Sequence, residues 1–189
     1  MLIILPSLAL GLLFLILLGV QQPWGRGDRF VPAGTFLGAM ILWGAILVTI
    51  VEILSLFSAI HMLGLATAWS LCIGLCWMYG QREAYLRQGW IRLGRVLGEF
   101  GELTFIQRLI VAGLVAAVLV LFVIALVSPP NNVDSMIYHM SRVTHWAQNR
   151  SIRHFATSNF GQNIKPIWAE VAILNLIVLW GSDRPANLI

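Results

Sequence analysis

Asp134, Tyr138, Ser141, Arg142, His145 and Asn149 recur at spacings of one, three and four. On a helix they share one face, because residues three and four apart are surface neighbours. A carboxylate on such a face could take a proton from an attacking hydroxyl or hold a divalent cation such as Mg or Mn. Pro129-Pro130 ends whatever helix precedes it, and Asn131 or Asn132 can cap a new one. Asp134 then falls in the first turn, beside the positive end of the helix dipole. Ile137, Met140, Thr144 and Ala147 line much of the opposite face. Ser128–Asn149 therefore reads as an amphipathic helix lying on a membrane and presenting a carboxylate to water. Within it, Val133–Gln148 is expected as one helix, with Asp134 and Tyr138 toward an aqueous cleft and Met140 toward lipid or protein. Periodicity alone favours the plainer reading, a first-turn helix acid.

Two further acids lie in or beside apolar runs, Glu52 and Glu170. Acids there are costly to bury, so each is a functional candidate. Glu52 could instead bond Ser55, and Glu170 could be a dipole-favoured acid near a helix start. Arg142, Arg150, Arg153 and Lys165 belong to the same polar stretch or the loop after it. They suit an anionic headgroup or a phosphate, or they are solvated loop charges. His139 and His145 are six apart and point to different faces, so they are no chelating pair. No close His/Cys ligand set and no phosphate-cradling glycine loop occurs. Cys72 and Cys76 sit one turn apart in an apolar run and read as core residues.

The elements that carry these residues are set by composition. Of 189 residues, 59% are hydrophobic and 11% charged, far too apolar for a water-soluble globule. The fold class expected is all-α, a polytopic transmembrane helical bundle with amphipathic interfacial helices. The net charge of +4 is spread over loops, which argues against nucleic acid as a partner and for the bilayer. Five spans are read: Leu2–Val20, Phe36–Phe57, Met62–Tyr79, Leu109–Val127 and a shorter Pro166–Trp180. A tight connection, Ser58–His61, joins the second and third. Between Gly80 and Arg108, Leu86, Trp90, Leu93, Leu97 and Phe100 form an apolar stripe, as on a surface helix. Eight of the 12 basic residues (Arg26, Arg29, Arg82, Arg87, Arg92, Arg95, Arg108 and Arg184) are cytoplasmic if Ser128–Asn149 is outside. The positive-inside rule favours that orientation.

The run PPNNVDSMIYHMSRVTHWAQNRSIRHFAT, with KPIWAEVAILNL and GSDRPANL after it, resembles bacterial membrane glycosyltransferases of the GT-C superfamily, relatives of protein O-mannosyltransferases and aminoarabinose transferases. The resemblance covers roughly Leu109–Ile189, and NNVDSMIYHMSRVTHW is its most specific part. It implies a polyprenyl-phosphate sugar donor, inversion at the anomeric carbon and an active face outside the inner membrane. Asp134 matches the acid that serves the reaction in the first extracytoplasmic loop. It would be the base or metal ligand, with Glu170 as a supporting acid. Tyr138, Arg142, His145, Arg150, Arg153 and Lys165 would contact substrate. On this view 1–108 is an N-terminal membrane region and 109–189 begins the transferase domain of a longer enzyme, inactive alone. The rival is a non-catalytic membrane protein, a carrier of lipid-linked substrate or a scaffold.

Overall fold

A computed structural model describes residues 2–20, 31–128, 133 and 135–189. Asp134, the candidate acid, lies outside the described residues, as do Pro129–Asn132. The described chain is all-helical, with no strand. It comprises α1 (Ile4–Val20), α2 (Val31–Leu56), α3 (Met62–Arg82), α4 (Tyr85–Glu99), α5 (Phe105–Val127), α6 (Met140–Asn149), α7 (Gly161–Ile164) and α8 (Trp168–Trp180). Short 3-10 turns cover Phe100–Glu102 and Arg184–Leu188, and a π turn, Ser135–His139, leads into α6.

Among these, α2, α3 and α5 contain windows long and apolar enough to cross a membrane, with at most 22% of the window buried. That combination marks the chain as membrane-associated, since a soluble protein rarely exposes such extents of apolar surface. The fifth expected span takes a different form, while the first is an apolar helix close to the minimum spanning length. α1 has 17 residues and α8 has 13, which at about 1.5 Å per residue gives α8 roughly 20 Å. That falls short of a hydrocarbon core of about 30 Å. α8 stops at Gly181, whose positive φ of 86° closes the helix while its N–H reaches the Ile177 carbonyl.

The chain divides into two compact units, and the division cuts through α2, α3 and α5. One holds Ile4–Ala45 and Trp69–Leu114. Its centre is the crossing of α1 and α4, where Leu15, Ile16 and Leu86 are buried together. Gly19 and Gly89 let the two backbones touch: a Cβ on either would collide with the carbonyl of Tyr85 or Leu15 respectively. Arg92 Nη1 donates to the Leu18 carbonyl at 2.6 Å, satisfying an end group of α1 that has no partner within its own helix. The expected apolar stripe of the surface helix is thus divided. Leu86 is buried and Leu93 packs against this cluster, while Trp90, Leu97 and Phe100 remain exposed.

The other unit holds Met1–Ile3, Ile46–Ala68 and Val115–Ile189. α8 is its core: Val171, Ala172, Leu174 and Leu179 are buried, with Val143 and Trp146 of α6 and Ala186 of the last turn. The connection after α2 closes with Ser58 at φ 49°, Ser58 N–H on the Ser55 carbonyl and Ala59 N–H on the Leu54 carbonyl. This is the paired-bond ending common at helix C-termini. His61 Nδ1 then accepts the Gly64 N–H at 3.1 Å and caps α3. The tight Ser58–His61 connection is present as expected. Ser55 Oγ meets Ser151 Oγ at 2.9 Å and accepts the Ile152 N–H, tying the end of α2 to the chain after α6.

Candidate functional site

The polar residues of the second unit gather around one carboxylate. Glu170 enters the first turn of α8 and is fully buried. Its Oε1 lies 3.0 Å from Arg142 Nη1 and 3.1 Å from His139 Nδ1. The Arg142 contact is an aligned hydrogen bond. The His139 contact is at ion-pair distance, but Nδ1 and the carboxylate are not aligned for a hydrogen bond. His139 is therefore an electrostatic neighbour of Glu170, and Arg142 is its bonded partner. Glu170 Oε2 is buried without a hydrogen-bond partner among the described residues.

Arg142 is also fully buried, and this corrects its expected place on the solvent face of the helix. Its guanidinium donates through Nε to the Gln162 carbonyl, through Nη1 to the Lys165 carbonyl at 3.2 Å, and through Nη2 to the Gly161 carbonyl at 2.9 Å. Its Cζ sits 5.5 Å from the centre of the Trp146 ring. A group with this many donors committed inside the protein is a structural clamp on residues 161–170. It is not a surface cation awaiting phosphate. The physical reason for the inward turn is that a planar guanidinium can satisfy several carbonyls and a carboxylate at once.

Tyr138 and Lys165 meet beside this cluster, with Lys165 Nζ 3.6 Å from the Tyr138 ring centre and the His139 ring centre 3.9 Å from it. Lys165 is exposed and Tyr138 half-buried. His145 stands apart, stacked on Phe155 with ring centres 3.6 Å apart. It borders an open groove of about 410 Å³ lined by Met136, Met140, Ser141, Thr144 and Gln148. Arg150 and Arg153 are exposed; Arg150 ends α6 at φ 53°, and its carbonyl accepts the Ile60 N–H. The fold thus brings Tyr138, Arg142, Lys165 and Glu170 together, and it does not bring His145, Arg150 and Arg153 to them. Glu52 is exposed near the end of α2, and the hydroxyl of Ser55, its suggested partner, is engaged by Ser151.

His139 and Gln162 belong to this site, yet neither is a candidate on sequence grounds. His139 is three residues before Arg142, so a shared face is visible in the sequence, but nothing marks Glu170 as its neighbour. Among the described residues no three His, Cys, Asp or Glu side chains gather to hold a metal ion. The bonded neighbour of Glu170 is the Arg142 guanidinium, a cation and so the wrong donor for a divalent ion. Comparison of the chain with protein-family models, with curated proteins and with solved structures gives no match.

Proposed function

We propose that the chain is part of a multi-pass inner-membrane glycosyltransferase that moves a sugar from a polyprenyl-phosphate donor at the extracytoplasmic face. The observation that carries this reading is the buried Arg142–Glu170 pair beneath the segment that comes after Asp134 in the chain. An apolar helix of spanning length, α5, ends at Val127, and a polar, rigidly tied assembly begins shortly after it, at Ser135. Chemistry on a lipid-borne substrate calls for such an assembly at the edge of an apolar layer. The resemblance of residues 109–189 supplies the reaction class, and the arginine distribution supplies the orientation.

In this reading the acceptor hydroxyl attacks the anomeric carbon from the face opposite the phosphate. A new C–O bond forms as the bond to the phosphate oxygen breaks. The hydroxyl proton passes to the Asp134 carboxylate, and the electron pair leaves with the polyprenyl phosphate. Lys165 and Tyr138 are the exposed and half-exposed groups suited to the departing anion. Glu170 acts through Arg142 and touches no substrate. The test is Asp134→Asn in the full-length protein, in membranes at matched protein level, with transfer from a polyprenyl-phosphate sugar as the readout. Loss of base assistance lowers the rate by about 10²–10⁴. Turnover near the unmodified rate removes Asp134 from the chemistry, and absence of transfer by the unmodified protein favours the carrier or scaffold reading.

A further inference from the structure

Ser135–His139 is π-helical, so this turn carries more residues than an α turn and disturbs the bonding ladder. A carbonyl displaced from its ladder needs another donor. The Ile137 carbonyl has three from side chains: Ser141 Oγ at 2.9 Å, Gln162 Nε2 at 2.9 Å and Asn159 Nδ2 at 3.3 Å. Ser141 is four residues along, and its hydroxyl could make that bond in an ordinary helix as well. The donors peculiar to this turn are those brought by the loop.

Gln162 is the better fixed of the two. Its Nε2 also donates to Ser141 Oγ at 2.7 Å, and its Oε1 accepts the Thr157 hydroxyl at 2.7 Å. Its backbone carbonyl accepts Arg142 Nε. One amide therefore faces two acceptors on the helix and one donor in its own loop, and that fixes which way the amide points. We infer that Gln162 is a positioning residue that holds the Ser135–His139 turn in π register. Removing or adding one residue in a turn rotates the helix before it by about 100° relative to the helix after it. Gln162 thereby sets the face on which Ser135–Tyr138 lie relative to α6, including the meeting of Tyr138 with Lys165. Its importance for turnover rests on the reading of Asp134, the residue preceding this turn in the sequence.

The experiment uses the full chain in membranes, with Cys72 and Cys76 replaced by alanine. Single cysteines at Ser135, Met136 and Gln148 are labelled with a water-soluble maleimide. Met136 is exposed and Ser135 half-buried, so with Gln162 present position 136 labels faster. Gln162→Glu keeps the shape but removes both amide donors, and Gln162→Leu removes every polar atom of the side chain. Both are expected to change the 136-to-135 rate ratio several-fold, with Thr157→Val giving a smaller change, while position 148 on α6 labels as before. An unchanged ratio in Gln162→Glu overturns the clamp. If Gln162→Leu disrupts α6, seen at position 148, the ratios in Gln162→Glu and Thr157→Val decide. Sugar transfer on the same membranes separates the two readings. A changed ratio with normal transfer upholds the clamp and removes Asp134 from the chemistry; an unchanged ratio with lost transfer overturns the clamp.

Discussion

Arg142 and Glu170 are each 0% exposed, and withdrawing two charges from water costs several kcal/mol per ion even after relaxation. Their mutual bond offsets part of that cost, and the three carbonyls on Arg142 offset more. Removing one partner leaves the other charge buried and uncompensated. Arg142→Met is expected to lower stability by about 3–5 kcal/mol. Glu170→Gln keeps the shape, leaves the carbonyl bonds of Arg142 in place and costs less. The double change Arg142→Met with Glu170→Leu is expected to cost clearly less than the sum of Arg142→Met and Glu170→Leu, because the two sites are coupled. Thermal unfolding in detergent measures each of these variants, and additive losses would contradict the pairing. The sequence made both residues candidates but turned Arg142 outward, for two physical reasons. Counting at a regular helical period from Asp134 takes no account of the π turn at Ser135–His139. The partner that draws Arg142 inward is 28 residues further along, at a separation no local spacing reveals.

Among the helices, the limits of sequence reading show most clearly at α8 and at the α1–α4 crossing. Pro166–Trp180 and Leu109–Val127 are similarly apolar, yet α8 is largely buried in protein and α5 has no buried residue. Composition measures the wish to leave water and says nothing of whether lipid or protein receives the helix. The three-four stripe of α4 was legible, but its contact runs through glycines, which carry no apolar signal. That contact makes one substitution act in opposite directions at two places. Gly89→Ala drives a Cβ into the Leu15 backbone, and overpacking of this kind typically costs about 1–3 kcal/mol. Gly94→Ala, in the same helix with nothing within 4 Å of the new Cβ, is expected to stabilise by about 0.5–1 kcal/mol through helix propensity. Chemical denaturation of the two variants reads the signs directly. Equal effects at both positions would mean that α1 and α4 do not touch.

For the molecule as a whole, the decisive surface is α5. Its 23 residues include no buried one, and Leu114, Leu119, Leu121 and Phe122 are among many large apolar side chains left exposed. Two environments could receive such a helix, lipid or water, and they respond oppositely to a charge. In water, an arginine at an exposed helix position is nearly neutral for stability, as surface changes usually are. At the centre of a bilayer, arginine costs about 2.5–3.5 kcal/mol on insertion scales, whereas leucine is favourable. Leu119 sits in the middle portion of α5, with 58% of its surface exposed. Leu119→Arg is therefore expected to reduce the fraction of chain that survives alkaline extraction of membranes, while Leu119→Ile leaves it unchanged. The shift is large because α5 has no buried side chain of its own to anchor it against protein. An arginine variant retained as fully as the parent would place this face of α5 in water, and the lipid-borne substrate would lose its physical basis.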